Sequence, residues 1–182
     1  MRTCQIELLG VHLICIKECT IVKKVNAHGY AVIGGIIENE EEENLFKIAE
    51  SKQFTKLIGI EEMGESKVLF TGIIGNLEII KEGGLKFAQI KLLSGTRLLE
   101  GKLLTRTFQN KNLTYQDLLK MIEKDYTKIN HLMHVGSQEK IGDMIVQYKE
   151  DNWSFLKRLE VILIVALSLI LEKTEFDIIL GF

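Results

Sequence analysis

The sequence predicts an α+β fold whose first part is a strand-rich, barrel-like domain. Short segments with period-two alternation recur between Ile14 and Gln109. Glycine-containing turns separate them, as at Gly83-Gly84. Two helical segments with N-terminal capping residues follow, at Thr114 and Asn152. Many short strands joined by such turns favour a compact barrel or strongly curved sheet. The chain has 182 residues, 46% of them hydrophobic and 26% charged, a globular balance with room for one domain or two small ones.

Taken in order, Ile14 to Val25 mixes β-branched residues with Lys and Glu, as a half-buried strand does. Asn26 to Gly29 reads as a hairpin turn into a second strand, His28 to Glu38, with Gly34-Gly35 marking a bulge or bend. Glu40 to Ser51 reads as a helix capped by Asn39. Its acidic run Glu40 to Glu43 suits the positive end of the helix dipole, and Leu45, Ile48 and Ala49 share a face. That run is a weak cation-site candidate, because consecutive helical carboxylates point in different directions. Strands are expected at Phe54 to Glu61, Lys67 to Ile80, Leu85 to Leu93 and Leu103 to Gln109. In Leu85 to Leu93, residues Lys86, Ala88, Ile90 and Leu92 form one face. Thr114 to Asp125 is the clearest helix. Thr114 and Asp117 make a capping box, and Leu118, Leu119, Met121 and Ile122 form the apolar stripe. Lys128 to Lys140 reads as a polar loop and Met144 to Tyr148 as a strand. Asn152 caps a last helix carrying Phe155, Leu156 and Leu159.

Charge and motif content narrow the chemistry. The net charge is -2, so no basic excess points to nucleic acid or anionic lipid. Cys4, Cys15 and Cys19 make an odd set and the N-terminus lacks a signal-peptide pattern, so a reduced cytoplasmic protein is expected. There is no phosphate loop, nucleophile elbow or His-Glu-x-x-His motif. Cys15-x-x-x-Cys19 reads as small core or surface residues, since no histidines accompany it. His131-x-x-His134 has no evident third ligand and reads as loop histidines. Asp117, Glu123 and Asp125 read as a solvated helix face. No catalytic site, metal or cofactor is expected.

Two stretches carry a family resemblance. The first includes Phe70-Thr71-Gly72-Ile73-Ile74, then Thr105-Arg106-Thr107-Phe108-Gln109-Asn110 and Thr114-Tyr115-Gln116-Asp117. The second is Gln147-Tyr148-Lys149-Glu150-Asp151-Asn152-Trp153-Ser154-Phe155-Leu156-Lys157-Arg158-Leu159. In order and spacing these resemble the phage late control protein D and VgrG family of tail-hub and spike-base proteins. Residues 1 to 69 fit only by general strand pattern. The resemblance implies a barrel-like hub domain over 1–109 and the start of a second α+β hub domain over 110–159. It also implies a structural role in a ring at the base of a spike, homotrimeric in the full-length protein, with tail-tube and spike or baseplate proteins as partners. The particle would be a phage tail or contractile injection system of prophage origin, assembled from the bacterial cytoplasm. No active site, small-molecule substrate or nucleic acid comes with it. Read without the family, Gln147 and Tyr148 end a strand, Trp153 and Phe155 are core anchors, and Arg158 reaches back to an acidic partner.

Residues 160–182 depart from the family pattern. Read one base out of register, Glu160 to Ile164 can encode Ser-His-Phe-Asn, and Asp177 to Phe182 can encode Tyr-Tyr-Phe-Gly-Phe. Both are motifs that relatives show at this separation. The expectation is an out-of-frame tail on a truncated hub. Val161 to Leu171, about eleven residues, is too short for a bilayer span, which takes roughly 20. The alternative functions are a tail-associated cell-wall hydrolase and a small membrane-associated protein built on that run.

Overall fold

The computed structural model describes residues 5–24, 26–60, 65–126, 131–134, 138–163 and 177–180. The chain divides into two compact units, Met1–Lys23 with Gly29–Ser94, and Lys24–His28 with Gly95–Phe182.

The first unit is a strand-rich, nearly closed, barrel-like sheet of six strands with one helix. Its elements are β1 (Gln5–Leu8), β2 (Cys15–Val22), β3 (Tyr30–Ile37), α1 (Glu41–Ser51), β4 (Phe54–Ile60), β5 (Ser66–Glu82) and β6 (Leu85–Leu93). The strand order is β1-β4-β5-β6-β3-β2, and every pairing is antiparallel. Alternation aims one set of side chains inward. Ala31 and Ile33 from β3, Leu57 from β4, Phe70 from β5, and Ala88, Ile90 and Leu92 from β6 are fully buried with Leu45 of α1. The β5–β6 hairpin closes in two residues, because Gly83 and Gly84 both take positive φ, +57° and +80°.

The first unit differs from its sequence expectation at two points. The bulge expected at Gly34-Gly35 lies opposite them, on β2, where Lys17 is the extra residue between Ile16 and Glu18. A Cβ on Gly35 would lie 2.5 Å from the Cys15 carbonyl oxygen, so the bulged backbone occupies the space a side chain would need. Helix α1 is capped not by Asn39 but by Glu40, whose side chain makes no capping bond. Asn39 instead offers its carbonyl to Lys86 Nζ at 3.3 Å. The acidic run diverges: Glu42 pairs with Lys86 and Lys81, while Glu43 pairs with Lys47. These lysines hold both carboxyls below their ordinary range.

The second unit contains a 3-10 turn (Gly95–Leu99), β7 (Leu104–Phe108), α2 (Tyr115–Glu123), β8 (His131–His134), β9 (Ile145–Glu150), α3 (Asn152–Leu163) and β10 (Asp177–Leu180). Strand β7 pairs antiparallel with β9, and β10 pairs parallel with β8. The core joins Leu99 and Phe108 to Leu118, Leu119 and Ile122 of α2, and to Trp153, Phe155, Leu156 and Leu159 of α3. The segment expected as a polar loop, 128–140, contains β8, whose partner lies more than forty residues away in sequence, beyond the reach of local patterning. Met121 is 43% exposed; Tyr115 takes its place in the buried stripe. Val161 to Leu163 continue α3, while 164–171, and with them most of the apolar run, lie outside the described residues.

Candidate functional site

Arg106, Gln147 and Asn152, from the motif stretches of the second unit, meet in a buried polar joint between β7, β9 and the start of α3. Gln147 and Asn152 are both fully buried, so their amides must find partners inside. Asn152 Oδ1 accepts from Arg106 Nη2 at 2.7 Å and from Gln147 Nε2 at 3.0 Å. Its Nδ2 donates to the Tyr126 hydroxyl at 2.7 Å and to Asp125 Oδ2 at 3.5 Å. Arg106 also donates to Gln147 Oε1 at 3.1 Å and pairs with Asp125 at 2.8 Å. Gln147 Nε2 donates once more, to the Glu150 carbonyl at 2.9 Å. Burial pushes the Tyr126 phenol up, and the bond from Asn152 opposes that.

Asn152 is thus not the cap of α3, as the sequence suggests. Asp151 fills that place, its Oδ1 accepting from Ser154 N at 2.7 Å. The preceding aspartate frees the asparagine to turn inward. Nor is Asp125 part of a solvated helix face; it lies beyond α2 and holds Arg106.

Further along α3, Arg158 donates to both Glu150 oxygens, at 3.2 and 2.8 Å, and to the Val146 carbonyl at 2.7 Å. Its guanidinium lies over the Phe155 ring, and Glu150 raises its pKa. Phe155 stacks on Phe108 with centroids 5.8 Å apart. Trp153, Leu156 and Leu159 complete the buried face. On α2, Asp117 N donates to Thr114 Oγ1 at 3.2 Å and Thr114 N donates back to Asp117 Oδ2 at 3.3 Å, forming the capping box, and Thr114 Oγ1 donates to the same carboxylate oxygen at 2.7 Å. Tyr115 is buried, and desolvation followed by Glu139 raises its pKa.

Other motif residues stand apart. Phe70 and Gly72 lie on β5 in the first unit. A Cβ on Gly72 would meet the Leu93 carbonyl oxygen at 2.5 Å and the Phe70 ring at 2.8 Å, so glycine lets β5 approach β6 beside a buried ring. Gln109 is exposed just past β7, and Tyr148 is 65% exposed on β9.

Sequence reasoning missed a second cluster. His28 Nδ1 lies 2.7 Å from Thr96 Oγ1 and Nε2 lies 2.7 Å from Glu100 Oε1. The imidazole packs on Trp153 with centroids 4.3 Å apart. Arg97 pairs with the other Glu100 oxygen. A histidine in an expected turn carries no local sign of such docking.

Among the described residues, no group of three or more His, Cys, Asp or Glu could hold a metal ion. Cys15 and Cys19 are free thiols on β2, and burial raises the Cys19 pKa. Cys4 and the side chains of His131 and His134 lie outside the described residues. No described helix is long and apolar enough to cross a membrane. Arg106, Gln147 and Asn152 spend their polar groups on one another and on neighbouring residues, which suits a rigid joint.

The fold is a VgrG or baseplate hub-like fold. The chain is similar in structure to the E. coli c3393 protein, a type VI secretion component with structural similarity to the T4 bacteriophage tail proteins gp27 and gp5. That match has a TM-score of 0.54 at 13% identity, covering 86% of this chain and 42% of that one. It is also similar to a chain of the Francisella PdpA–VgrG complex, at TM-score 0.51 and 14% identity, covering 88% of this chain and 28% of that one. The chain therefore spans less than half the length of either neighbour. No protein-family model matches the sequence, and no curated protein shows significant sequence similarity to it.

Proposed function

We propose that this protein is a non-enzymatic structural component of a phage tail or phage-like contractile particle. With other copies it forms the baseplate hub ring that supports the spike and joins the tail tube. The observation that carries the reading is the likeness of fold to a type VI secretion component and a VgrG complex over 86% and 88% of the chain. The polar joint supports it, because a ring under mechanical load needs a rigid subunit, and a satisfied buried network supplies rigidity. On this reading residues 1–109 act as the barrel-like hub domain and 110–159 begin the second hub domain. The ring is a homotrimer, built from cytoplasmic copies of a late control protein D-like or prophage-encoded chain and then carried in the particle. Native mass measurement of the purified chain, alone and with tail-tube and spike proteins, tests this. A three-copy assembly that captures either partner is the expected result. A chain that binds neither and clears bacterial cell walls in a zymogram would overturn it in favour of a hydrolase.

A further inference from the structure

The wall of the first unit made by β2, β3, β6 and β5 carries an apolar row on its outer face. The register sets Cys15 beside Ile36, Ile36 beside Phe87, and Phe87 beside Ile80. Ile80 is 56% exposed, and Leu85, 57% exposed, extends the row at the hairpin end. Ile36, Phe87, Ile80 and Leu85 line a shallow groove.

Carboxylates border this row on both sides. On one side the register aligns Glu18 and Glu78 across Gly34 and Gln89. On the other, Glu82 lies opposite Leu85, and Glu38 follows the Ile37–Lys86 pair that ends β3. All four carboxylates are exposed. Glu18 accepts from Gln89 at 2.6 Å and Glu78 from Asn76 at 3.0 Å, neutral amides that leave the charges in place. A Cβ on Gly34 would meet Glu18 Cγ at 2.7 Å and the Phe87 ring at 2.9 Å, so glycine lets the Glu18 side chain lie against the row itself. Among the described residues none of the four has a cationic partner. The hairpin's own lysines, Lys81 and Lys86, point to the opposite face and pair with Glu42 of α1. Lys91, beyond Gln89, lies over the Tyr30 ring. Lys17, in the β2 bulge, offsets one of the four charges.

We infer that this wall seats an amphipathic helix of a partner protein, with its apolar ridge along the row and lysines or arginines on both flanks. Three strand spacings separate β2 from β5, roughly 14 Å, the length of about nine helical residues. Glu78 and Glu82, four residues apart on β5, stand roughly 13 Å apart, just wider than a helix of roughly 10–12 Å with its side chains. Long basic side chains cover apolar surface with their stems and reach the carboxylates with their heads. The acidic border repels phosphate, so neither nucleic acid nor an anionic bilayer suits the row. A second copy docking by the same wall would set carboxylate against carboxylate. The inference leaves the three-copy ring intact and does not rest on it.

Fluorescence anisotropy of a labelled synthetic helix titrated with the full chain tests it. The probe is a peptide of about 15 residues, long enough to hold a helix, with leucines along one face and lysines on both flanks. Saturable binding is expected, weakened by added salt and lost when glutamates replace the lysines. Glu78→Lys and Glu82→Lys each weaken it about threefold, and together roughly tenfold, as for exposed ion pairs on the two flanks. Ile80→Ser weakens it about tenfold by removing apolar contact. These variants change exposed side chains, and matching thermal melts establish that they fold. No binding of the lysine peptide, equal binding of the glutamate peptide, or binding indifferent to the three substitutions overturns the inference. So does self-association that Ile80→Ser abolishes, which makes a second copy the occupant. A failed peptide titration leaves the ring reading standing, because ring assembly is measured without the peptide.

Discussion

Asn152 uses its whole hydrogen-bonding capacity inside the protein, two acceptor contacts on Oδ1 and two donor contacts on Nδ2. Removing it takes one partner from Arg106, which is 23% exposed, and one from the fully buried Gln147. Asn152→Ala is expected to destabilise the protein by roughly 2–4 kcal/mol, the range for a buried polar network that loses one member. Gln109 belongs to the same family-like motif set but is exposed beyond the end of β7. Gln109→Ala should stay within about 0.5 kcal/mol of the parent. Denaturant midpoints decide, and equal losses at the two positions would remove the joint from the account. Burial, not motif membership, sets the cost. Residue type alone hides that burial, because glutamine and asparagine usually lie at the surface.

At the scale of elements, the α2 capping box links sequence to pH. The Thr114 hydroxyl and then its backbone N–H stabilise the ionised Asp117 carboxylate, holding its pKa below the ordinary 3.8. A carboxyl lowered by folding contributes stability that is fully present above its unfolded value and lost as pH falls through the folded one. Asp117→Ala should therefore be less stable than the parent at neutral pH, and the gap should narrow once pH drops below 3.8. Thermal melts of both proteins across that window test this, and a gap that widens on acidification would refute it. The box was legible because its partners are three residues apart and face the same helix end. Strand β6 was legible with its limits, Leu85 to Leu93, because strict alternation ran from a two-glycine turn. Strand β8 was not, since four residues in a polar stretch become a strand only through a distant partner. The same holds for sheet membership. Leu103 to Gln109 reads as a last strand after the barrel strands, but the pairing of β7 with β9 is long-range, and alternation says nothing about which strand lies alongside. Helix α1 was found while its cap was misplaced by one residue, a scale at which helix ends are poorly marked by composition.

For the whole molecule, the order of residues along the chain and their grouping in space disagree at one place. Residues 24–28 lie between β2 and β3 of the first unit yet group with the second, where His28 packs on Trp153. A chain cut to begin at Gly95 would therefore lack one wall of the tryptophan's surroundings. Trp153 is the protein's single tryptophan and only 3% exposed, so its emission reports this directly. His28→Ala in the full chain is expected to shift the emission to the red. It should lower stability by about 1–2 kcal/mol, from the lost ring contact and the hydrogen bonds to Thr96 and Glu100. Thr96→Val keeps the ring in place and removes one polar contact, so it should cost less and leave the emission nearly unchanged. If His28→Ala leaves both emission and stability as they were, the imidazole is not holding the tryptophan. The second unit would then owe nothing to the excursion between β2 and β3, and a fragment starting at Gly95 should match the full chain in tryptophan emission. If the shift appears, that fragment should show it too, because the histidine that shields Trp153 comes from a segment sixty-seven residues before Gly95 in sequence.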